Sequence, residues 1–139
     1  MELFTTFVPA VRHAETTAGI AAYPELGVPA GALTEVMGDW GVNAALISPS
    51  PATMEFLRVL FDEIVDVFDS PWIHVGGDES RLSMWERDAD TMVLAKAAGV
   101  TDAQGLFATF MSDLDALLRA QGRTMITWDD AFAVATGRL

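Results

Sequence analysis

Trp72-Ile73-His74-Val75-Gly76-Gly77-Asp78-Glu79 joins four residues of strand character to two glycines and two adjacent carboxylates. A strand that is apolar apart from His74, with a helix before it, suits a buried parallel sheet. The two glycines remove side-chain bulk and free the backbone dihedrals, so a ligand or a neighbouring backbone can come close. An Asp and a Glu just beyond a strand end suit acid–base chemistry on a substrate held there. For a bare Asp-Glu pair the plainer alternative is an acidic loop capping a strand.

The flanks of the octet read as helices. Upstream, Ser50 is placed to cap a helix with Pro51 at its first position. Leu57, Leu60, Phe61, Ile64 and Phe68 then recur at helical spacing, leaving Glu55, Arg58, Asp62 and Asp66 toward solvent. Asp69-Ser70-Pro71 ends that helix. Downstream, a polar loop carrying Trp85 runs to Arg87, and a short helix from about Ala89 to Ala98 stops at Gly99. Thr101-Asp102-Ala103-Gln104 has the form of a capping box and opens a second strong helix. Its apolar stripe is Phe107, Phe110, Met111, Leu114, Leu117 and Leu118, a core face rather than a set of ligand contacts. Gly122 closes it, and Thr124–Trp128 reads as a further strand ending in Trp128-Asp129-Asp130. Helix, strand, loop, helices, strand is the alternation of βα units on a parallel sheet.

The first fifty residues are less regular. Met1 to Val11 has the apolarity of a strand, and Glu15 to Ala22 suits a short helix. Tyr23-Pro24-Glu25-Leu26-Gly27 reads as a turn, and residues 27–50 as a long loop with one extended piece at Asn43–Ile47. Long aperiodic loops in compact domains are often functional.

Composition narrows the function classes. Half of the 139 residues are hydrophobic (51%), enough for a core and against disorder. The net charge of −12, with Lys96 the single lysine, argues against a nucleic-acid partner, which would require clustered Lys and Arg. No apolar run reaches the roughly 18 residues that a bilayer span needs, so no membrane partner is expected. Met1-Glu2-Leu3-Phe4 lacks the basic start and long apolar centre of a signal peptide. With no cysteine, disulfides and thiolate metal sites are excluded. No repeat or linker divides the chain.

The octet resembles the His-x-Gly-Gly-Asp-Glu signature of the family-20 glycoside hydrolases, the β-N-acetylhexosaminidases, and that match shifts the balance away from a plain acidic loop. Ser48-Pro49-Ser50-Pro51-Ala52-Thr53, Glu55-Phe56-Leu57 and Phe68-Asp69-Ser70-Pro71 are similar to the family's helix leading into its catalytic strand. Ala21-Ala22-Tyr23-Pro24-Glu25-Leu26-Gly27 resembles an earlier loop, and Gln121-Gly122-Arg123 with Ile126-Thr127-Trp128-Asp129-Asp130 the following strand. The resemblance runs from about Ala21 to Asp130.

It implies an α/β fold: a partial (β/α)8 barrel of parallel strands alternating with helices, incomplete at both ends. A whole barrel takes roughly 250 residues, so residues 1–139 would hold about strands three to five. It also implies a glycosidase of carbohydrate metabolism, removing terminal β-linked N-acetylglucosamine or N-acetylgalactosamine from an oligosaccharide or glycoconjugate, with no cofactor and no metal. The mechanism would be retaining and substrate-assisted. Glu79 would protonate the leaving oxygen and then activate water. Asp78 would accept a hydrogen bond from the acetamido N–H. A partly buried Glu79 beside a second carboxylate is expected, since burial favours the protonated acid. Trp128 would wall the sugar pocket, although a strand-end Trp serves a core equally well. Trp85 would either shape the site or pack on the surface, and His74 would fill the barrel or hydrogen-bond within it rather than touch substrate.

His13 is the remaining substrate-pocket candidate. The family's Asp-x-Pro-Gly-His pattern supplies a supporting His, but here Pro9 stands where its Asp would fall. Two other functions are compatible with the residues: a catalytically incomplete barrel remnant with weak or no sugar binding, and a metal protein using His74, Asp78 and Glu79. The second is disfavoured because His74 and Asp78 converge poorly at that spacing.

Overall fold

A computed structural model of the chain describes residues 19–31, 35, 45–129 and 131. The expected strand at Met1–Val11, candidate His13, and the first residues of the expected Glu15–Ala22 helix and of the Asn43–Ile47 extended piece lie outside them, as does Asp130.

The short elements come first. A 3-10 turn at Pro24–Leu26 leads into β1 (Gly27–Val28), which pairs with β2 (Leu46–Ile47). That pairing is antiparallel, Gly27 opposite Ile47 and Val28 opposite Leu46, a departure from the all-parallel expectation; β2 falls within the extended piece expected at Asn43–Ile47, whereas β1 lies where a loop was expected. Pro29, with no N–H to donate, follows Val28 directly and limits this ribbon to two residues per strand.

The helices form where local chemistry places them. α1 (Pro51–Val67) starts at Ser50, whose side chain accepts from Thr53 N–H. Leu57, Phe61 and Ile64 are buried along one stripe. On the outer face Arg58 bonds Glu55 at 2.8 Å and Asp62 at 2.7 Å. The bond from Arg58 holds the exposed Glu55 carboxyl below its ordinary value. After β3 (Trp72–His74) come α2 (Ser83–Arg87), α3 (Ala89–Ala97) and α4 (Ala103–Ala120), and then β4 (Thr124–Ile126). Gly99 follows α3 with φ +78°, as a helix-ending glycine should. α4 begins one residue later than a Thr101 capping box would start it. Asp102 is the cap, its carboxylate accepting from Gly105 N–H at 2.7 Å.

β3 and β4 pair in parallel, with Trp72 opposite Thr124, Ile73 opposite Met125 and His74 opposite Ile126. The crossover between them contains α2, α3 and α4. Ile73 and Val75 point into a core shared with Leu57, Phe61, Phe107, Phe110, Leu114 and Leu118. His74, one residue out of phase, therefore faces the other side of the sheet. Gln121 donates to Asp62, and Arg123 donates to Val65 O at 3.1 Å, tying the entry of β4 to the end of α1.

Trp85 departs from expectation. It sits in α2 rather than in a loop and is only 2% exposed, so it neither shapes a site nor lies on the surface. Its indole packs on Phe107 and Phe110, and Nε1–H donates to Ile47 O at 3.1 Å. One large ring thus joins α2, α4 and β2. Trp85→Phe should destabilise the chain by about 1–3 kcal/mol, the range for removing one partner of a buried hydrogen bond, read as a lower urea midpoint. An unchanged midpoint would mean that the indole contributes packing alone.

Candidate active site

Because β3 and β4 run the same way, their C-terminal ends lie side by side. The pairing continues past both strands: Val75 N–H donates to Ile126 O at 2.9 Å, and Trp128 N–H donates to Gly76 O at 3.0 Å. Residues 76–79 and Trp128 therefore share one rim of the sheet.

The turn that carries the acids is built from unusual backbone. Gly76 and Gly77 have φ of +76° and +99°, and Glu79 has φ of +53°. Glu79 is the one non-glycine residue with positive φ among the described residues. That conformation costs roughly 1–2 kcal/mol for a residue with a Cβ, and such outliers collect at functional sites. Gly77 is also sterically required: a Cβ there would lie 2.6 Å from Ala131 Cβ and 3.4 Å from Met111 Cε.

The two carboxylates sit differently. Asp78 is half-buried, with Oδ1 shut off from solvent, whereas Glu79 is exposed. The expectation of a partly buried Glu79 does not hold, since a rim of two strands leaves most of its perimeter open. Trp128 is 42% exposed, which removes the core-Trp alternative and leaves indole surface available to a ligand. Its ring lies against His74, with centroids 4.7 Å apart and a tilt of 60°. His74 Nδ1 accepts from Gly76 N–H at 3.0 Å, so His74 does hydrogen-bond within its own layer. A backbone amide only donates, so Nδ1 carries the lone pair and the proton of the neutral ring sits on Nε2. Among the described residues no three His, Asp or Glu side chains gather as a metal site, and no helix is long and apolar enough to cross a membrane.

The chain as a whole has known relatives. The family model for the glycosyl hydrolase family 20 catalytic domain matches residues 12–137. The chain belongs to glycosyl hydrolase family 20. Among family-20 relatives, β-hexosaminidase subunit A1 of Dictyostelium discoideum is 32% identical over 128 residues, covering 82% of this chain and 24% of the relative. Subunit A2 of the same organism is 29% identical over 129 residues, covering 82% and 23%. A crystal structure of a β-N-acetylhexosaminidase superposes with a TM-score of 0.78 at 28% identity, covering 88% of this chain and 27% of that one. The chain thus spans about a quarter of the length of these curated family-20 relatives. A mixed helix and strand fold is what this family-20 likeness supports.

The structure brings together Asp78, Glu79 and Trp128 on one rim and adds His74, which sequence reasoning assigned only to the interior of the barrel. Its position two residues before a glycine N–H was the available signal. Gly77→Ala should destabilise the chain by roughly 2–4 kcal/mol, combining left-handed backbone strain with overpacking against Ala131. Chemical denaturation measures it, and a loss of only about 1–2 kcal/mol would show that Ala131 yields and that backbone strain alone remains.

Proposed function

We propose that this chain is the acid-pair segment of a family-20 catalytic barrel, holding about strands three to five. The barrel would hydrolyse terminal β-linked N-acetylglucosamine or N-acetylgalactosamine in oligosaccharides or glycoconjugates. The observation that carries this reading is the continued parallel register, Trp128 N–H to Gly76 O at 3.0 Å, which leaves an acid pair and an exposed indole on the same C-terminal rim. Active sites of (β/α)8 barrels lie at that end of the strands.

The chemistry assigned to the residues is substrate-assisted retention. The acetamido oxygen attacks its own anomeric carbon, forming the C–O bond of an oxazolinium ion as the glycosidic bond breaks. Glu79 delivers its proton to the leaving oxygen and then takes one from the water that opens the ring. Its exposed position suits both exchanges. Asp78 accepts from the acetamido N–H and offsets the positive charge that develops there, and its half-buried carboxylate is the better placed of the two to stay aimed. Trp128 packs its face on the sugar or its acetamido methyl. No protein nucleophile is needed, because the substrate carries its own at high effective concentration. His13 stays a further pocket candidate on the resemblance alone.

A second reading has its own support: since the chain spans about a quarter of its curated relatives, the isolated 139 residues would be catalytically incomplete, with weak or no sugar binding. Assaying the chain alone against a complete barrel that contains it separates the two readings.

In that complete barrel, Glu79→Gln should lower turnover of an aryl N-acetylglucosaminide by about 100- to 10,000-fold, the span for a general acid–base. Near-normal turnover would refute the assignment of Glu79. Asp78→Asn should cost about 100- to 1,000-fold in kcat, as losing one transition-state electrostatic partner does, with little change in thermal midpoint. Activity and midpoint falling together would mark Asp78 as a structural carboxylate.

A further inference from the structure

Three contacts at the rim close on one another. Gly76 N–H donates to His74 Nδ1 at 3.0 Å, and Gly76 O accepts from Trp128 N–H at 3.0 Å. The third is the His74 imidazole against the Trp128 indole, 4.7 Å between centroids. One side chain therefore touches both the backbone that launches the acid pair and the indole beside it. We propose that His74 is a positioning residue, setting the distance and orientation of Trp128 relative to Asp78 and Glu79 and so the gap into which a sugar ring fits.

The residue type follows from the two demands. The turn needs a hydrogen-bond acceptor two residues before Gly76 N–H, and the indole needs a flat ring beside it. Asn and Asp have the acceptor without the ring. Phe has the ring without an acceptor, and Trp offers only a donor. Histidine meets both with one imidazole. Its place on the strand also fits, because Ile73 and Val75 are taken up by the core on one face while His74 lies on the other, with Trp128. Fixing Gly76 at its N–H and its carbonyl oxygen also limits how far the following left-handed residues can drift, which keeps Glu79 aimed while exposed.

The inference rests on the reading that Asp78, Glu79 and Trp128 handle substrate, and its test is separable from that reading. His74→Asn retains the acceptor and removes the ring, whereas His74→Phe does the reverse. In the chain itself, the Trp128 indole N–H resonance, identified by its loss in Trp128→Phe, should move in His74→Asn through loss of the imidazole ring current. An unmoved resonance overturns the contact. In the full-length protein, each His74 variant should lower kcat/KM on an aryl N-acetylglucosaminide by about 10- to 100-fold, the scale of a misplacement near 1 Å, without a matching fall in thermal midpoint. In a Trp128→Ala background the His74→Asn loss should nearly vanish, since the two act through one contact. Losses that multiply across the two positions, losses that track the midpoint, or kcat/KM within about twofold of the unchanged protein overturn the proposal. If Glu79→Gln abolishes turnover while the His74 variants behave normally, this inference alone falls. If Glu79→Gln stays active, the hydrolase reading falls first.

Discussion

The parallel register of two three-residue strands is the constraint from which the rest of the site follows. With Ile73 opposite Met125 and His74 opposite Ile126, the chain ends that leave β3 and β4 must emerge together. Trp128 N–H then finds Gly76 O, and among the described residues each candidate site residue lies within a few positions of that bond. A slip of one residue would turn His74 into the core and Ile73 and Val75 toward the rim, because strand side chains alternate faces. Burial of Ile73 and Val75 among Phe61, Phe107 and Leu114 makes that slip costly. The hydrophobic core thus fixes not only that the strands pair but which of their atoms reach the site.

The backbone beyond β3 shows how a strand end becomes a platform for acids. Three of the four residues from 76 to 79 have positive φ, a conformation that a strand or helix would not sustain. Gly77 adopts it with Ala131 packed where a side chain would have been. Glu79 adopts it in spite of its Cβ, at the energetic cost of left-handed backbone. The outcome is a turn in which consecutive carboxylates differ in exposure, Asp78 drawn inward and Glu79 held out. Two neighbouring carboxyl groups are thereby given unlike surroundings, which is the general route by which paired acids take different roles.

Much of this was readable from local chemistry. Ser50-Pro51, Gly99 and Gly122 bound helices whose expected apolar residues pack, except Phe68, which is 40% exposed just past the end of α1; caps and helical periodicity act over three or four residues. The strand, read over Trp72–Val75 and observed at Trp72–His74, stood out with its acid pair for the same reason. Where reading failed, the deciding partner was distant in sequence. Trp85 looked like a loop residue, but its core position depends on Phe107, Phe110 and the carbonyl of Ile47, 38 residues away. The Gly27–Ile47 pairing was hidden because two-residue strands carry no periodicity. The capping box was misplaced by one residue because both Thr101 and Asp102 are competent caps, and only the helix path chooses between them.

The sequence by itself determined the family signature, the types of the candidate catalytic groups and the two long helices around them, all of which are written in short-range patterns. The tertiary structure alone decided that Trp128 stands open beside His74, that Glu79 is exposed while Asp78 is half-buried, and that His74 reaches both Gly76 and the indole. Those facts depend on bringing positions 74 and 128 together across a crossover of three helices. No local pattern encodes that approach; the packing of the core does.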